Sequence, residues 1–233
     1  MSNFPNFPEF FRALWDKEPF PWQVMLAERV AARPWPDAID LPTASGKTAC
    51  LDIAVWALAV QAHKPLDQRT APRRIWFVVD RRIIVDEAFE RALQLADKLA
   101  NALAPAIRAV AERLLALRGL PARQRPLAVA RLRGGTLLDD SWARVPSQPA
   151  IICSTVDQIG SALLFRAYRH GILSAPVYAG LAANDGLILL DEAHCAVPFL
   201  QTLRAVRRFR RDRWSEQPNP TPFQVAVLSA TPP

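Results

Sequence analysis

The sequence predicts an α/β fold with a doubly wound, mainly parallel sheet and helices on both faces. The chain has 233 residues and is 51% hydrophobic and 22% charged, which suffices for a buried core. Short apolar segments alternate along it with longer segments of helical periodicity, and this alternation is typical of βαβ units. The apolar segments are hydrophobic on both faces, as strands inside a parallel sheet are. No linker-like composition divides the chain, so we predict one domain over residues 1–233.

The strand prediction depends on length and residue type. Five apolar segments are too short for helices, consist mostly of β-branched residues or Leu, and end in polar or small residues. They are Ala38–Leu41, Ile75–Val79, Ala150–Cys153, Leu187–Leu190 and Gln224–Leu228. Ligands of an open parallel sheet bind at the carboxyl ends of its strands, so the loops that follow these segments are the candidate sites.

Helical periodicity fills the intervals between the predicted strands. The predicted helices are Gly46–Ala62, Arg82–Leu103, Ala106–Arg118, Val156–Tyr168 and Val197–Trp214. Pro105 is expected to break the long helical region, because proline lacks the N–H donor and clashes with the preceding turn. The predicted loops, where Pro and Ser cluster, are Pro121–Pro126, Pro146–Pro149 and Ser215–Pro222.

The last predicted helix is basic on one side and apolar on another. Leu200, Leu203 and Val206 recur at three-residue steps, and they face away from the side that carries arginines. Those arginines are Arg204, Arg207, Arg208 and Arg211. A solvated basic face is the favoured explanation, and a docking surface for a second lobe, another subunit or a DNA strand is the alternative. The tryptophans are predicted to pack in the core or against another lobe rather than to stack on bases.

The net charge of +7 comes mainly from arginine. Basic residues outnumber acidic ones by 29 to 22, and only four of the basic residues are lysines. Arginine suits bidentate phosphate contact and stacking on bases, which favours an anionic partner. A GC-rich coding sequence would give the same excess of arginine, and net charge does not separate the two explanations.

The sequence lacks the features of membrane and secreted proteins. No apolar run approaches the roughly 18–20 residues that span a bilayer, and Asp52 interrupts the best candidate. The first residues have neither a basic nor an apolar signal region. Cys50, Cys153 and Cys195 are far apart and form no C-x-x-C pair, which favours buried free thiols over a metal site or a disulfide. We therefore expect a cytoplasmic protein with no membrane partner.

The residues after the first predicted strand have the pattern of a phosphate-binding loop. Leu41–Thr48 reads Leu-Pro-Thr-Ala-Ser-Gly-Lys-Thr and leads at once into a predicted helix. Backbone N–H groups of the loop and the helix start would face a polyphosphate, Lys47 would neutralise its β and γ oxygens, and the Thr48 hydroxyl would ligate magnesium. Gly46 is predicted to allow close approach of the backbone. The general pattern G-x-x-x-x-G-K-[ST] has Leu41 at its first position here, and a chance Gly-Lys-Thr at a helix start is the alternative.

Two adjacent carboxylates, Asp191 and Glu192, follow the strand Leu187–Leu190. Carboxylates at the end of a buried strand are costly unless they have a cation and a water to act on. In a phosphoryl-transfer site Asp191 would hold magnesium through its water shell, and Glu192 would orient or deprotonate the attacking water. A helix N-terminus capped by Asp191 is the alternative, but the phosphate loop favours the catalytic interpretation. We predict that Lys47, Asp191 and Glu192 are catalytic, with the acids one sheet position from the loop.

In this order, the segments resemble the first RecA-like lobe of a superfamily 2 helicase of the DEAH-box type, a P-loop NTPase. Leu41–Thr48 is similar to motif I, where Leu is common at the first position, Asp191–His194 to motif II, and Ser229–Thr231 to motif III. The resemblance implies an ATP-dependent helicase, an NTP hydrolase whose cofactors are ATP and magnesium.

The same resemblance implies roles for individual residues. Phe20–Gln23 is similar to the adenine-recognition segment of the family, in which Gln23 would read the adenine edge. His194 would couple motif II to motif III through a hydrogen bond to Ser229 or Thr231. The implied nucleotide-binding residues are Gln23, Thr43, Ala44, Ser45, Gly46, Lys47 and Thr48.

Three further segments resemble motifs of this lobe that contact nucleic acid. They are Phe77–Arg82, Arg133–Gly135 and Ser154–Gln158. The residues implied to grip phosphates across the strand ends are Arg81, Arg82, Gly135 and Thr155. Each also has an ordinary structural explanation: the first turn of a helix for the arginines, a turn for the glycine, and a helix N-cap for the threonine.

A narrower resemblance rests on the residue sequences of four segments. Pro21–Gln23, Val78–Asp86, Arg133–Gly135 and Cys153–Gln158 are similar to the CRISPR-associated helicase-nuclease of type I systems, particularly the I-U/I-G branch. The resemblance implies ATP-driven 3′-to-5′ movement on single-stranded DNA in antiviral defence. Its implied partners are single-stranded DNA, an HD nuclease domain and a CRISPR surveillance complex.

The sequence lacks the segments that the family has for a second lobe and for an HD nuclease. It ends just after the segment similar to motif III, and none of its histidines is followed by Asp, so we expect a truncated or split chain without second lobe or HD nuclease. An arginine finger from a second lobe is typically worth about 10³–10⁵ in rate, so this lobe should bind ATP but hydrolyse it poorly unless a second RecA-like lobe joins it in cis or trans. The alternatives are a non-catalytic fragment that binds ATP or nucleic acid, and another superfamily 2 motor such as a restriction translocase or an RNA helicase.

Overall fold

The computed structural model describes residues 4–42, 45–117, 125–135, 140–168, 170–193, 196–210 and 221–229. Within these ranges the strands are β1 (Ala38–Asp40), β2 (Arg74–Val79), β3 (Ala128–Leu132), β4 (Ala150–Thr155), β5 (Gly186–Asp191) and β6 (Phe223–Ser229). They form one six-stranded sheet in the order β1-β6-β5-β2-β4-β3, and every pair of neighbours is parallel. All carboxyl ends therefore lie along the same edge of the sheet.

Helices connect the strands. They are α1 (Phe7–Trp15), α2 (Pro21–Ala32), α3 (Cys50–Val60), α4 (Arg82–Ala100), α5 (Pro105–Ala116), α6 (Ser141–Arg144), α7 (Val156–Leu163), α8 (Ala175–Ala183) and α9 (Val197–Phe209). A short 3₁₀ turn at Lys47–Ala49 leads directly into α3. The predicted break near Pro105 is confirmed, since α4 ends at Ala100; Pro105 itself begins α5, one residue before the predicted start, because the first turn of a helix tolerates proline.

The sheet separates two apolar layers. Alternate side chains of β2 point to opposite faces: Ile75 and Phe77 pack into a core formed with α1–α5, whereas Trp76 and Val78 pack into a core formed with α6–α9. The central strands β2, β4 and β5 are buried along their whole length. The predicted α/β, doubly wound architecture is confirmed, and it is consistent with a RecA-like fold.

Several elements differ from the prediction. The strand β3 was not predicted; it lies at the sheet edge and only its central residue, Ala130, is buried, so it lacks a continuous apolar signal. The helix α1 was not predicted either, although Asn6 and Glu9 form a capping box at its start. The helix α7 ends at Leu163 rather than Tyr168, and Phe165 adopts a left-handed conformation with φ of 60°. The helices α2, α6 and α8 were also absent from the prediction.

Burial of the remaining predicted features follows side-chain chemistry. Of the tryptophans in the described ranges, Trp15 and Trp22 are partly buried and the others are buried. On α9, Leu200 and Leu203 are buried, whereas Arg204 is exposed, which agrees with the predicted solvated basic face.

Cys50 and Cys153 are buried free thiols, as predicted, and Cys195 lies outside the described residues. No helix in the described ranges has the length and apolar character required to cross a membrane.

Candidate nucleotide-binding site

Two segments far apart in sequence meet at the carboxyl edge of the sheet. The 3₁₀ turn that follows β1 carries Lys47, and β5 ends at Asp191. The strand β6 lies between β1 and β5, so the acids are two sheet positions from the loop rather than the predicted one. The side chains nevertheless span this gap, because the Nζ atom of Lys47 lies 3.0 Å from Oδ1 of Asp191. The geometric condition for sharing one ligand is therefore met.

This ion pair is largely shielded from solvent. The side chains of Lys47 and Asp191 are 13% and 11% exposed. Cys50 is the first residue of α3 and is buried. Burial raises the pKa of its thiol far above the usual range, and the charge of Asp191 adds to this effect. Both effects favour the protonated thiol.

Gly46 has a conformational and a steric reason to be glycine. Its φ of 76° lies in the left-handed region, which L side chains rarely adopt. A Cβ at this position would lie 3.2 Å from Nε2 of Gln23 and 3.3 Å from the ring of Phe20. The neighbours that exclude a side chain are thus residues at the start of α2.

The start of α2 holds the loop by two hydrogen bonds. The indole Nε1 of Trp22 donates to the carbonyl of Ser45 at 3.1 Å, and Nε2 of Gln23 donates to the carbonyl of Gly46 at 3.3 Å. Sequence reasoning missed the contact of Trp22, which was assigned to packing in the core or against another lobe. A tryptophan beside Gln23 in the first turn of a helix was the available signal.

The loop and the helix start carry unpaired polar groups that suit an oxyanion. The hydroxyl of Ser45 is buried and has no hydrogen-bond partner among the described residues. The N–H groups at the start of a helix have no partner within it, and the helix dipole is positive there. Together with the ammonium of Lys47 and the hydroxyl of Thr48, these groups fit a phosphate with a hard, oxygen-ligated cation such as Mg²⁺.

Glu192 has strained backbone geometry at the end of β5. Its φ is 52°, a conformation that costs a non-glycine residue roughly 1–3 kcal/mol. Its N–H group donates to the carbonyl of Leu228 at 3.1 Å and to Oδ1 of Asp191 at 3.0 Å. The neighbouring strand β6 therefore helps to hold both acids in place.

The predicted nucleic-acid contacts lie at the same edge, on the other half of the sheet. Arg81 and Arg82 follow β2 and are exposed. Thr155 ends β4 in register with the end of β2, and it caps α7 without a side-chain hydrogen bond to the helix. Gly135 follows β3 with a φ of 83°. The ends of three neighbouring strands thus bring all four residues to one edge.

The arginines at this edge have close neighbours. A Cβ on Gly134 would lie 3.1 Å from the Arg82 guanidinium, so glycine leaves room for that side chain. Arg131 and Arg133 lie 2.9 and 2.8 Å from the carboxylate of Asp86. Partial burial opposes ionisation of Asp86, yet hydrogen bonds and charge from the two arginines hold its pKa below the usual range.

Some predicted site residues fall outside the described part of the chain. They are Thr43, Ala44, His194 and Thr231, together with the side chain of Ser229. Their roles in nucleotide binding and in coupling of the motifs stay predictions. In the described ranges no group of three or more His, Cys, Asp or Glu side chains could hold a metal ion.

Comparison with protein-family models and with curated proteins gave no match for this chain. The geometry at the carboxyl edge is therefore the basis for a functional conclusion, together with the sequence segments that led to it.

Proposed function

We propose that this chain is the ATP-binding lobe of an ATP-dependent translocase or helicase that acts on single-stranded DNA in CRISPR type I interference. A second RecA-like lobe, in cis or in trans, completes the motor in this proposal. The observation that carries it is the shielded contact of 3.0 Å between Lys47 and Asp191. It supports the proposal because a lysine at a helix start meets an acid two strands away, and the buried Ser45 hydroxyl of the same loop has no hydrogen-bond partner among the described residues.

In this proposal each residue of the cluster has a defined task. Lys47 would bind the β and γ oxygens of the triphosphate, the Thr48 hydroxyl would ligate magnesium, and Asp191 would hold the ion through its water shell. Magnesium, when bound, would neutralise charge on the phosphates during transfer of the γ-phosphoryl group. Glu192 orients the attacking water and accepts its proton at the carboxylate. The strained backbone of Glu192 supports this assignment, because such strain clusters at functional sites.

The edge formed by β2, β4 and β3 would bind the nucleic acid. Arg81 and Arg82 are exposed there and can contact phosphates, while Thr155 and Gly135 lie at the ends of the two neighbouring strands. Contacts to phosphate dominate such binding, so its affinity should fall steeply as the salt concentration rises. The assignment to CRISPR interference is supported by the four sequence segments named above rather than by this geometry.

Nucleotide binding tests the proposal directly. We expect a fluorescent ATP analogue to bind in the presence of Mg²⁺ and its binding to be lost in Lys47→Ala. The matched control is Lys17→Ala, which removes an exposed lysine after α1. We also expect little DNA-stimulated hydrolysis by the lobe alone. Unchanged affinity in Lys47→Ala would remove the phosphate-loop assignment, and with it the proposal.

A further inference from the structure

We propose that Trp22 and Gln23 position the phosphate loop by holding two consecutive carbonyl groups, and that Gln23 acts on the loop backbone rather than on the base of the nucleotide. This inference rests on the proposed function, since it describes how that site is held in shape. It assigns both side chains the role of positioning residues.

The side-chain amide of Gln23 already has hydrogen-bond partners within the protein. The residue is 2% exposed. Its Oε1 accepts the N–H of Phe20 at 2.9 Å, and its Nε2 donates to the carbonyl of Gly46 at 3.3 Å. An amide that reads the edge of a base must present both a free donor and a free acceptor to the ligand. The Gln23 amide keeps a second N–H and a second lone pair, but with the residue 2% exposed they are shielded from a base by α2 and the loop.

Trp22 supplies the second contact. Its ring is partly buried against the core, and its Nε1 donates to the carbonyl of Ser45 at 3.1 Å. Trp22 and Gln23 are consecutive residues in the first turn of α2, and they hold the consecutive carbonyls of Ser45 and Gly46. The spacing of the donors therefore matches the spacing of the acceptors.

Holding the carbonyls also sets the direction of the loop donors. The described peptide bonds are all trans, so the C=O of one residue and the N–H of the next point in opposite directions. The carbonyls of Ser45 and Gly46 are directed at α2, which turns the N–H groups of Gly46 and Lys47 away from it. In the proposed function these are donors to phosphate oxygens. Trp22 and Gln23 thus preorganise the donors before any ligand binds.

Glycine at position 46 makes this restraint necessary. Glycine reaches left-handed and right-handed conformations with similar ease, so the backbone does not by itself keep the φ of 76° seen here. The contacts from α2 select one conformation. Without them the loop should sample orientations in which its N–H groups diverge, and every polyphosphate should bind more weakly whatever its base.

The experiment compares the affinities of the wild type and two variants for three ligands. Trp22→Phe keeps an aromatic ring but removes the indole donor, and Gln23→Met keeps the side-chain length but removes both polar atoms. Dissociation constants are measured by calorimetry for Mg²⁺ complexes of ATP, GTP and inorganic tripolyphosphate. We expect each variant to weaken all three by a similar factor, roughly 3- to 10-fold for the loss of one or two neutral hydrogen bonds. The ratio of the ATP and GTP constants should stay that of the wild type.

A control separates positioning from simple loss of stability. Trp15→Phe removes an indole donor that contacts the buried Asp52 of α3 at 3.1 Å rather than a carbonyl of the loop. It should lower Tm without changing ligand affinity of the folded protein. Hydrogen exchange in the free protein gives a second measure, because exchange at Gly46 and Lys47 should be faster in Trp22→Phe and unchanged in Trp15→Phe.

The outcomes distinguish this inference from the proposed function. If the wild-type protein binds none of the three ligands, the proposed function fails. If it binds them but Gln23→Met loses the preference for ATP over GTP and keeps its affinity for tripolyphosphate, Gln23 reads the base and the inference is overturned. Unchanged exchange at Gly46 and Lys47 in Trp22→Phe would overturn it as well.

Discussion

The ion pair between Lys47 and Asp191 should make a measurable contribution to stability. At their separation of 3.0 Å, two unit charges attract by roughly 5.5 kcal/mol at an effective dielectric constant of about 20. Desolvation of both groups offsets much of this attraction, since their side chains are only 13% and 11% exposed. We therefore expect a coupling energy of about 1–3 kcal/mol from a double-mutant cycle of Lys47→Met, Asp191→Asn and the combined variant.

Urea unfolding followed by circular dichroism at pH 7 measures this coupling. The matched control is the pair of Arg207 and Asp37, whose side chains are 38% and 76% exposed at a distance of 2.8 Å. That exposed pair should couple by less than about 1 kcal/mol, and the coupling should vanish in high salt. If the coupling energy of Lys47 and Asp191 is no larger than that of the control pair, the reasoning that their shielded contact organises the site is refuted.

Four other substitutions test three separate parts of the structure. Glu192→Gly removes the φ strain, so the free energy of unfolding should stay equal or rise by up to about 1 kcal/mol. ATP hydrolysis by the proposed two-lobe motor should be lost in the same variant. Clear destabilisation of Glu192→Gly in urea would contradict the assignment of strain. Asp52→Ala leaves Arg91 and Trp15 without their acceptor in the core, and it should destabilise the protein by about 2–4 kcal/mol in the same assay. The affinity for single-stranded DNA should depend less on salt in Arg81→Ala and in Arg82→Ala, with the slope of log affinity against log salt concentration smaller in magnitude by about 0.7 in each. An equal change in a variant of an exposed arginine on α9 would argue against a DNA-binding site at the edge of β2, β4 and β3.

The central strands were predictable because their burial leaves a local signal. Residues of β2 and β5 face apolar layers on both sides, so the sequence there is continuously apolar. The strand β3 has the core on only part of its surface, and Arg131 within it pairs with Asp86 of α4. Such an edge strand is specified by its neighbours across the sheet, and no pattern within five residues indicates it. Short helices such as α8 were missed for a similar reason, since packing rather than periodicity stabilises them.

The candidate site was predictable to a different degree. A glycine, a lysine and a hydroxyl before a helix, and an acid after a buried strand, are chemical signals that local sequence carries. Local sequence does not carry the order of the strands in the sheet, because that order depends on long-range pairing. For this reason the position of β6 between β1 and β5 was not predicted. The bond from Trp22 to Ser45 joins residues 23 positions apart, and its existence depends on how α2 packs against the loop.

The paired state of Lys47 and Asp191 bears on how the proposed site would take up its ligand. In the free protein each side chain neutralises the other, so neither charge is left unpaired in a shielded place. On binding of a magnesium triphosphate, Lys47 would turn to the phosphate oxygens and Asp191 to the cation, so both charges would again be compensated. A triphosphate without the metal would take Lys47 and leave Asp191 beside a polyanion, which is unfavourable in a region of low dielectric constant. The requirement for magnesium would then arise from Asp191 itself, and Asp191→Asn should narrow the difference in affinity between the metal-bound and metal-free ligand.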